Sequence, residues 1–254
     1  MPNNRNIKNI AWARVTNHFK AAFLVSLVPM ILTVLSVMSN HNRTTNFTDD
    51  RMLDNSDYTN VPHEINHFLQ DNWPTILLVS LVIAAFLLII SAVMSAVATF
   101  FTESSVSGFI DWHETNVTPE HPIKAGFQLL TSMNFKIALL RAIYTILWSL
   151  LFIVPGIIKS LSYSQAIYLY RDDLRHGREI KTANTYISES RKMMYGFKGQ
   201  LFIMYLSLIG WYFVTLITFG LANIFVLPYT LAIRAEFYIA LRELLPPTEQ
   251  NTVL

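Results

Sequence analysis

Long apolar runs alternate with shorter polar segments along almost the whole chain. A helix needs roughly 20 apolar residues to cross about 30 Å of hydrocarbon, and several of the runs have about that length. We interpret six of them as membrane-spanning helices: residues 21–39, 75–101, 136–154, 157–170, 201–219 and 221–241. The pattern therefore predicts an all-α, polytopic membrane protein.

A polar, amphipathic segment precedes every second apolar run. In the first of them, Ile7, Ala11, Val15 and Phe19 recur four residues apart and share one helical face. The pair Phe-Lys closes each segment, as Phe19-Lys20, Phe135-Lys136 and Phe197-Lys198. We therefore expect three hairpins in parallel repeats, each preceded by an amphipathic interfacial helix.

Turn residues mark the middle of the second and third hairpins. Pro155-Gly156 separates the third span from the fourth, and Gly220 separates the fifth from the sixth. Proline and glycine both interrupt helices, so we predict tight turns at these two places.

Composition supports a single membrane domain over residues 1–254. The chain is 52% hydrophobic and 14% charged, which departs from soluble proteins in the direction expected for a lipid-covered surface. It contains no cysteine, so disulfides and thiolate chemistry are excluded. The formal net charge of +2 is too small to indicate nucleic-acid binding.

The distribution of charge predicts the orientation. Residues 40–74 form an acidic loop. Residues 1–20, which we call the leader, and residues 171–200 are rich in Lys and Arg. By the positive-inside rule, the loop is extracytoplasmic and both termini are cytoplasmic. A cleaved signal peptide ending near Ser39 is the alternative to a retained first span.

One part of the chain carries family-specific motifs. They are the run from Pro155 to Ser160, Ser162-Tyr163-Ser164, the run from Ser190 to Gly196, Ile209-Gly210-Trp211, Thr218-Phe219-Gly220, Pro228-Tyr229 and Phe237-Tyr238. On these residues the chain resembles, over residues 122–243, a bacterial integral membrane family catalogued as domain of unknown function 975. The resemblance implies a bacterial membrane protein and no particular activity.

One short motif suggests metal chemistry. His63-Glu64-Ile65-Asn66-His67 has the spacing with which a helix presents two histidines to zinc and a glutamate to the attacking water. A metal-dependent hydrolase would also need a third ligand, which the following residues do not supply. The alternative is a solvated polar segment leading into the second span.

Charged residues within the predicted spans suggest a buried polar cluster. Arg141 and Arg234 fall in the cytoplasmic halves of their spans, near the level of Glu236 and of Glu103, which lies just after the second span. Unpaired charges are costly there, so we expect ion pairs that fix helix order. The alternative is a small permease in which Arg141, Arg234 and Glu236 line a polar path. Lys159 lies nearer the outer end of its span, from which it can snorkel.

Basic residues at the span ends predict contact with lipid headgroups. They are Lys20, Lys136, Arg191, Lys192 and Lys198. The chain has no P-loop, no G-x-G-x-x-G and no G-x-S-x-G motif, so we expect no cofactor and no enzymatic activity. The sequence favours a protein that binds lipid or another membrane protein.

Overall fold

Helices make up all the regular structure in the part of the chain that the structure describes. This computed structural model describes residues 3–33 and 61–244, with the backbone alone for residues 61–67. The helices are α1 (Asn4–Asn17), α2 (Phe19–Val25), α3 (Val61–Thr115), α4 (Pro122–Phe127), α5 (Ser132–Leu151), α6 (Ile153–Ser162), α7 (Ala166–Arg175), α8 (Ala183–Met193), α9 (Lys198–Leu206), α10 (Ile209–Ile217) and α11 (Asn223–Glu243). Residues 27–33 are also helical.

The leader helix α1 buries one apolar stripe against the bundle. Ile7, Ala11 and Val15 are buried, and α1 packs against α11. Phe19 belongs to α2, which begins after a kink at His18, and its ring is exposed. The predicted amphipathic helix is therefore present, but its apolar stripe covers protein.

Helix α3 is far longer than a bilayer requires. Its 55 residues correspond to about 80 Å, against about 30 Å of hydrocarbon. It begins at Val61 and runs through Pro74, so the later part of the predicted 40–74 loop is helical. Almost every side chain from 68 to 95 is exposed, and we call this segment the arm of α3.

The second part of α3 is buried in protein. Every residue from Glu103 to Ile110 is buried, and we call residues 103–114 the foot of α3. The arm is apolar and exposed, whereas the foot carries Glu103, Asp111 and Glu114. Helix α3 therefore joins an apolar surface to a packed region of mixed polarity. We call this region the base: it comprises the foot of α3, α7, residues 228–243 of α11, and the parts of α1, α5 and α8 packed against them.

The hairpin of α5 and α6 turns earlier than predicted. The extended residue is Phe152, with φ −159° and ψ 147°, and Pro155 already lies in the first turn of α6. Proline fits there because the N–H it lacks would have no helical partner. Gly156 lets the two helices approach, since a Cβ on it would lie 2.9 Å from the Cα of Ser149.

The predicted fourth span is interrupted. Helices α6 and α7 have ten residues each and are separated at residues 163–165. Ten residues give about 15 Å of helix, roughly half the hydrocarbon thickness. In α7 every residue from Ala166 to Asp173 is buried, so this helix belongs to the base.

The last hairpin turns where the sequence predicts. Phe219 and Gly220 have φ of 50° and 89°, and the Gly220 N–H donates to the carbonyl oxygen of Thr215 at 2.8 Å. Such a left-handed turn ends helices readily when a glycine is available. Helix α11 then returns to the base, where its residues 228–239 are buried apart from Arg234.

Four described helices are long and apolar enough to cross a membrane: Phe68–Thr115, Ser132–Leu151, the α9–α10 pair over Lys198–Ile217, and Asn223–Glu243. They coincide with the predicted second, third, fifth and sixth spans. The first predicted span is interrupted at Ser26, and its residues 34–39 lie outside the described part of the chain. A membrane-like helical protein is supported, and the six-span hairpin repeat is not confirmed.

Candidate functional site

A buried carboxylate joins four helices of the base. Glu103, on the foot of α3, accepts hydrogen bonds from Arg141 of α5 at 2.9 Å, from Arg234 of α11 and from the Tyr168 hydroxyl of α7. The Glu103 side chain is 2% exposed, against 18% for Arg141 and 15% for Arg234. The structure therefore brings together three of the four residues that the sequence grouped as one polar cluster.

Glu236 lies in a different cluster. Its carboxylate pairs with Arg14 of α1 and with His113 Nδ1 of α3 at 2.8 Å. Glu236 and Arg234 are two residues apart and cannot share a helix face, so Glu236 turns toward the leader. Burial lowers the pKa of Arg14, while the Glu236 carboxylate acts in the opposite direction.

A third cluster, which was not predicted, links α3, α7 and α11 within the base. Its members are Asp111 and Glu114 of α3, Arg171, Asp172 and Arg175 of α7, and Tyr238 and Arg242 of α11. Arg171 contacts Glu114 at 2.6 Å, and Arg242 contacts the same carboxylate at 2.7 Å. Burial disfavours the charge of Arg171, but the hydrogen bond to Glu114 and the charges of Asp111 and Asp172 outweigh it and raise the pKa of Arg171.

The sequence does contain a signal for this third cluster. On α11, Arg234, Tyr238 and Arg242 are spaced four apart and so form one polar stripe in an otherwise apolar helix. Hydropathy alone places Arg242 at the end of a span, where a charge needs no partner. Following the four-residue spacing beyond the span would have identified it.

A fourth group fastens α8 to the end of α7. Asp173 accepts hydrogen bonds from Arg178 at 2.7 Å and from the Tyr186 hydroxyl at 2.9 Å. Lys181 lies 3.7 Å from the same carboxylate and 2.9 Å from Glu189. The amphipathic helix α8 is therefore held against the base by polar contacts as well as by buried Tyr186.

The predicted lipid-contacting residues lie at the periphery. Lys20, Lys136, Arg191 and Lys192 are exposed, and Lys198 is half-buried at the start of α9. None of the five has a carboxylate partner within the described ranges, whereas the buried Arg171 and the part-buried arginines of the base all do. These five residues thus carry unneutralised positive charge at the periphery of the base.

The predicted metal motif lies at the start of α3. His63 and His67 have helical backbone, and their side chains lie outside the part of the chain that the structure describes. Among the side chains that are described, no group of three or more His, Asp or Glu is placed to hold a metal ion.

Taken together, these features define an all-helical protein with an apolar, membrane-like exterior and an ion-paired base. The chain belongs to the family described as protein of unknown function DUF975, whose profile matches residues 51–244. The match begins well before the residues that carry the resemblance in the sequence, and it includes all of α3. No curated protein and no solved structure matches the chain.

Proposed function

We propose that this protein is a non-enzymatic, multi-pass protein of the bacterial plasma membrane that binds anionic lipid headgroups around its base. The observation that carries the proposal is the distribution of the Lys and Arg side chains: those inside the base are paired with carboxylates, and those at its periphery are not. The arginines inside the base, buried or part-buried, are neutralised by carboxylates. The cations at the periphery are left without a carboxylate partner among the described residues: Lys20, Lys136, Arg191, Lys192 and Lys198. Each such residue near an anionic surface contributes about 1 kcal/mol of attraction.

Helix α4 adds an apolar component to this edge. Ile123 and Phe127 are exposed, whereas Ala125 and Gly126 face the protein. An amphipathic helix that turns its large apolar side chains outward is suited to the boundary between headgroups and acyl chains. The edge of the base thus combines exposed apolar side chains with free positive charge.

The buried charges support a structural role for the central cluster. Arg141 and Arg234, which a permease would use to line its path, both pair with Glu103. Breaking such pairs inside a bundle would leave an uncompensated charge. We therefore place ligand binding at the periphery of the base.

Titration with lipid tests the proposal. Phosphatidylglycerol added to the detergent-purified protein should raise its thermal unfolding midpoint more than phosphatidylcholine does, and added salt should weaken the effect. A variant with Gln at the five peripheral positions should lose most of the difference between the two lipids. Equal stabilisation of the wild-type protein by both lipids would overturn the proposal, and tight copurification of another membrane protein would redirect it to a protein partner.

The proposed orientation places the base and both termini on the cytoplasmic side. The basic segment 171–200 belongs to the base, in agreement with the positive-inside rule. The α5–α6 hairpin begins and ends at the base, so both of its ends share one side however deeply its tip inserts. Because the chain lacks cysteine, single cysteines report the orientation: one at Asn46 should react with an impermeant maleimide from outside, and one at Glu179 should not.

A further inference from the structure

A cleft of about 320 Å³ lies between the α5–α6 hairpin and the amphipathic helix α8. Its lining includes Tyr144, Trp148, Lys159, Tyr163, Asn184 and Arg191. We propose that this cleft binds the phosphate group of an anionic phospholipid, between Lys159 and Arg191. This inference rests on the proposed function and assigns it a specific site.

The charge of the cleft is positive and unneutralised. Lys159 Nζ lies 4.2 Å from the centroid of the Trp148 ring, which attracts the ammonium but leaves its charge in place. Neither Lys159 nor Arg191 has a carboxylate partner among the described residues, and the cleft lining contains no Asp or Glu. Two cations converging on one cavity without a counter-ion create a site suited to an anion.

The neighbouring polar groups suit a phosphate. Tyr163 and Ser188 contribute hydroxyls to the lining, and the Tyr144 hydroxyl donates to Asn184 Oδ1 at 3.2 Å. Arginine and lysine together provide several N–H donors for phosphate oxygens, with the guanidinium able to contact two at once. A single phosphate group fits such a cavity in charge and in hydrogen bonding.

The surroundings favour a lipid as the source of the phosphate. Leu147, Leu150, Leu151, Ile157 and Ile158 expose apolar side chains on the adjoining hairpin. Acyl chains can lie along that surface while the headgroup enters the cleft, and tryptophan and tyrosine are enriched at this level of membrane proteins. Lys159 therefore acts within the headgroup site on the side of the base, and not as an anchor at the opposite membrane surface.

Binding measurements on single variants test the site. Native mass spectrometry of the full chain should count phosphatidylglycerol molecules that remain bound, with phosphatidylcholine, inorganic phosphate and glycerol phosphate as comparison ligands. Lys159→Gln and Arg191→Gln should each weaken the tightest phosphatidylglycerol site about fivefold, the effect of about 1 kcal/mol per cation. Lys159→Arg keeps the charge and should retain the site. Lys124→Gln, which removes an exposed charge outside the cleft, should leave it unchanged.

The outcomes separate the site from the general function. Circular dichroism should first show that Lys159→Gln and Arg191→Gln are folded. If both variants then bind phosphatidylglycerol as the wild type does, while the variant with Gln at all five peripheral positions does not, the cleft proposal fails and the proposed function stands. If phosphatidylcholine binds the wild-type chain as well as phosphatidylglycerol does, the proposed function itself fails. Inorganic phosphate that competes at equal affinity would assign the cleft to the free anion and overturn the lipid as its source.

Discussion

At the scale of single residues, the base is organised around carboxylates that hold helices together. Glu103 joins α3, α5, α7 and α11, and Glu236 joins α11 to the leader. Depth along the predicted spans was enough to group Glu103 with Arg141 and Arg234. It could not predict Arg14 as the partner of Glu236, because the docking of α1 depends on packing between distant parts of the chain.

Removing Arg234 tests this arrangement. Arg234→Ala should lower the free energy of unfolding by about 3 kcal/mol, the lower end for breaking a buried pair, because Arg141 still faces Glu103. Denaturant unfolding in detergent measures the loss. Arg175→Ala is the matched control: its side chain is 47% exposed in the pair with Asp111, so it should cost at most about 1 kcal/mol. Equal losses in the two variants would contradict a structural role for the Glu103 cluster.

At the scale of elements, a turn built on a positive-φ glycine was easier to predict than a turn or a helix break without one. Gly220 stands where the sequence predicts a turn, since its positive φ suits glycine. Phe152 carries no such signal, because its extended backbone is open to any residue. The break between α6 and α7 at residues 163–165 was missed because Ser164 and Gln165 do not interrupt a helix as proline or glycine does. Hydropathy also does not distinguish a buried helix such as α7 from a lipid-facing one.

Close packing of the α5–α6 hairpin predicts a cost at Gly156. A Cβ there would lie 2.9 Å from both Cα and Cβ of Ser149, so Gly156→Ala should destabilise the protein by about 1–3 kcal/mol through overpacking. The thermal unfolding midpoint in detergent reports the effect. Gly210 is also helical, but a Cβ added to it would meet no atom within 4 Å, so Gly210→Ala should be neutral or slightly stabilising. If Gly210→Ala lowered the unfolding midpoint as much as Gly156→Ala does, the contact with Ser149 would not be the cause of the destabilisation.

At the scale of the whole molecule, the chain separates into an exposed apolar part and a charged base. Hydropathy located the apolar arm of α3 but did not reveal that one helix continues from it into the base. A helix of 55 residues exceeds the hydrocarbon thickness by more than twofold. The foot with Glu103 and Glu114 therefore lies beyond the apolar arm, where charged partners from α7 and α11 can gather.

The exposed arm gives the last prediction. Leu81 lies near the middle of the arm and is 62% exposed. In water a lysine at this position would be harmless, but at the centre of a bilayer it makes insertion of the helix less favourable by about 2.5–3.5 kcal/mol. Leu81→Lys should therefore reduce the membrane-inserted fraction of the protein, measured by resistance to carbonate extraction. Val117 is 65% exposed in the loop after α3, at the base, so Val117→Lys should insert like the wild type. If the two variants inserted equally well, the arm would not face lipid.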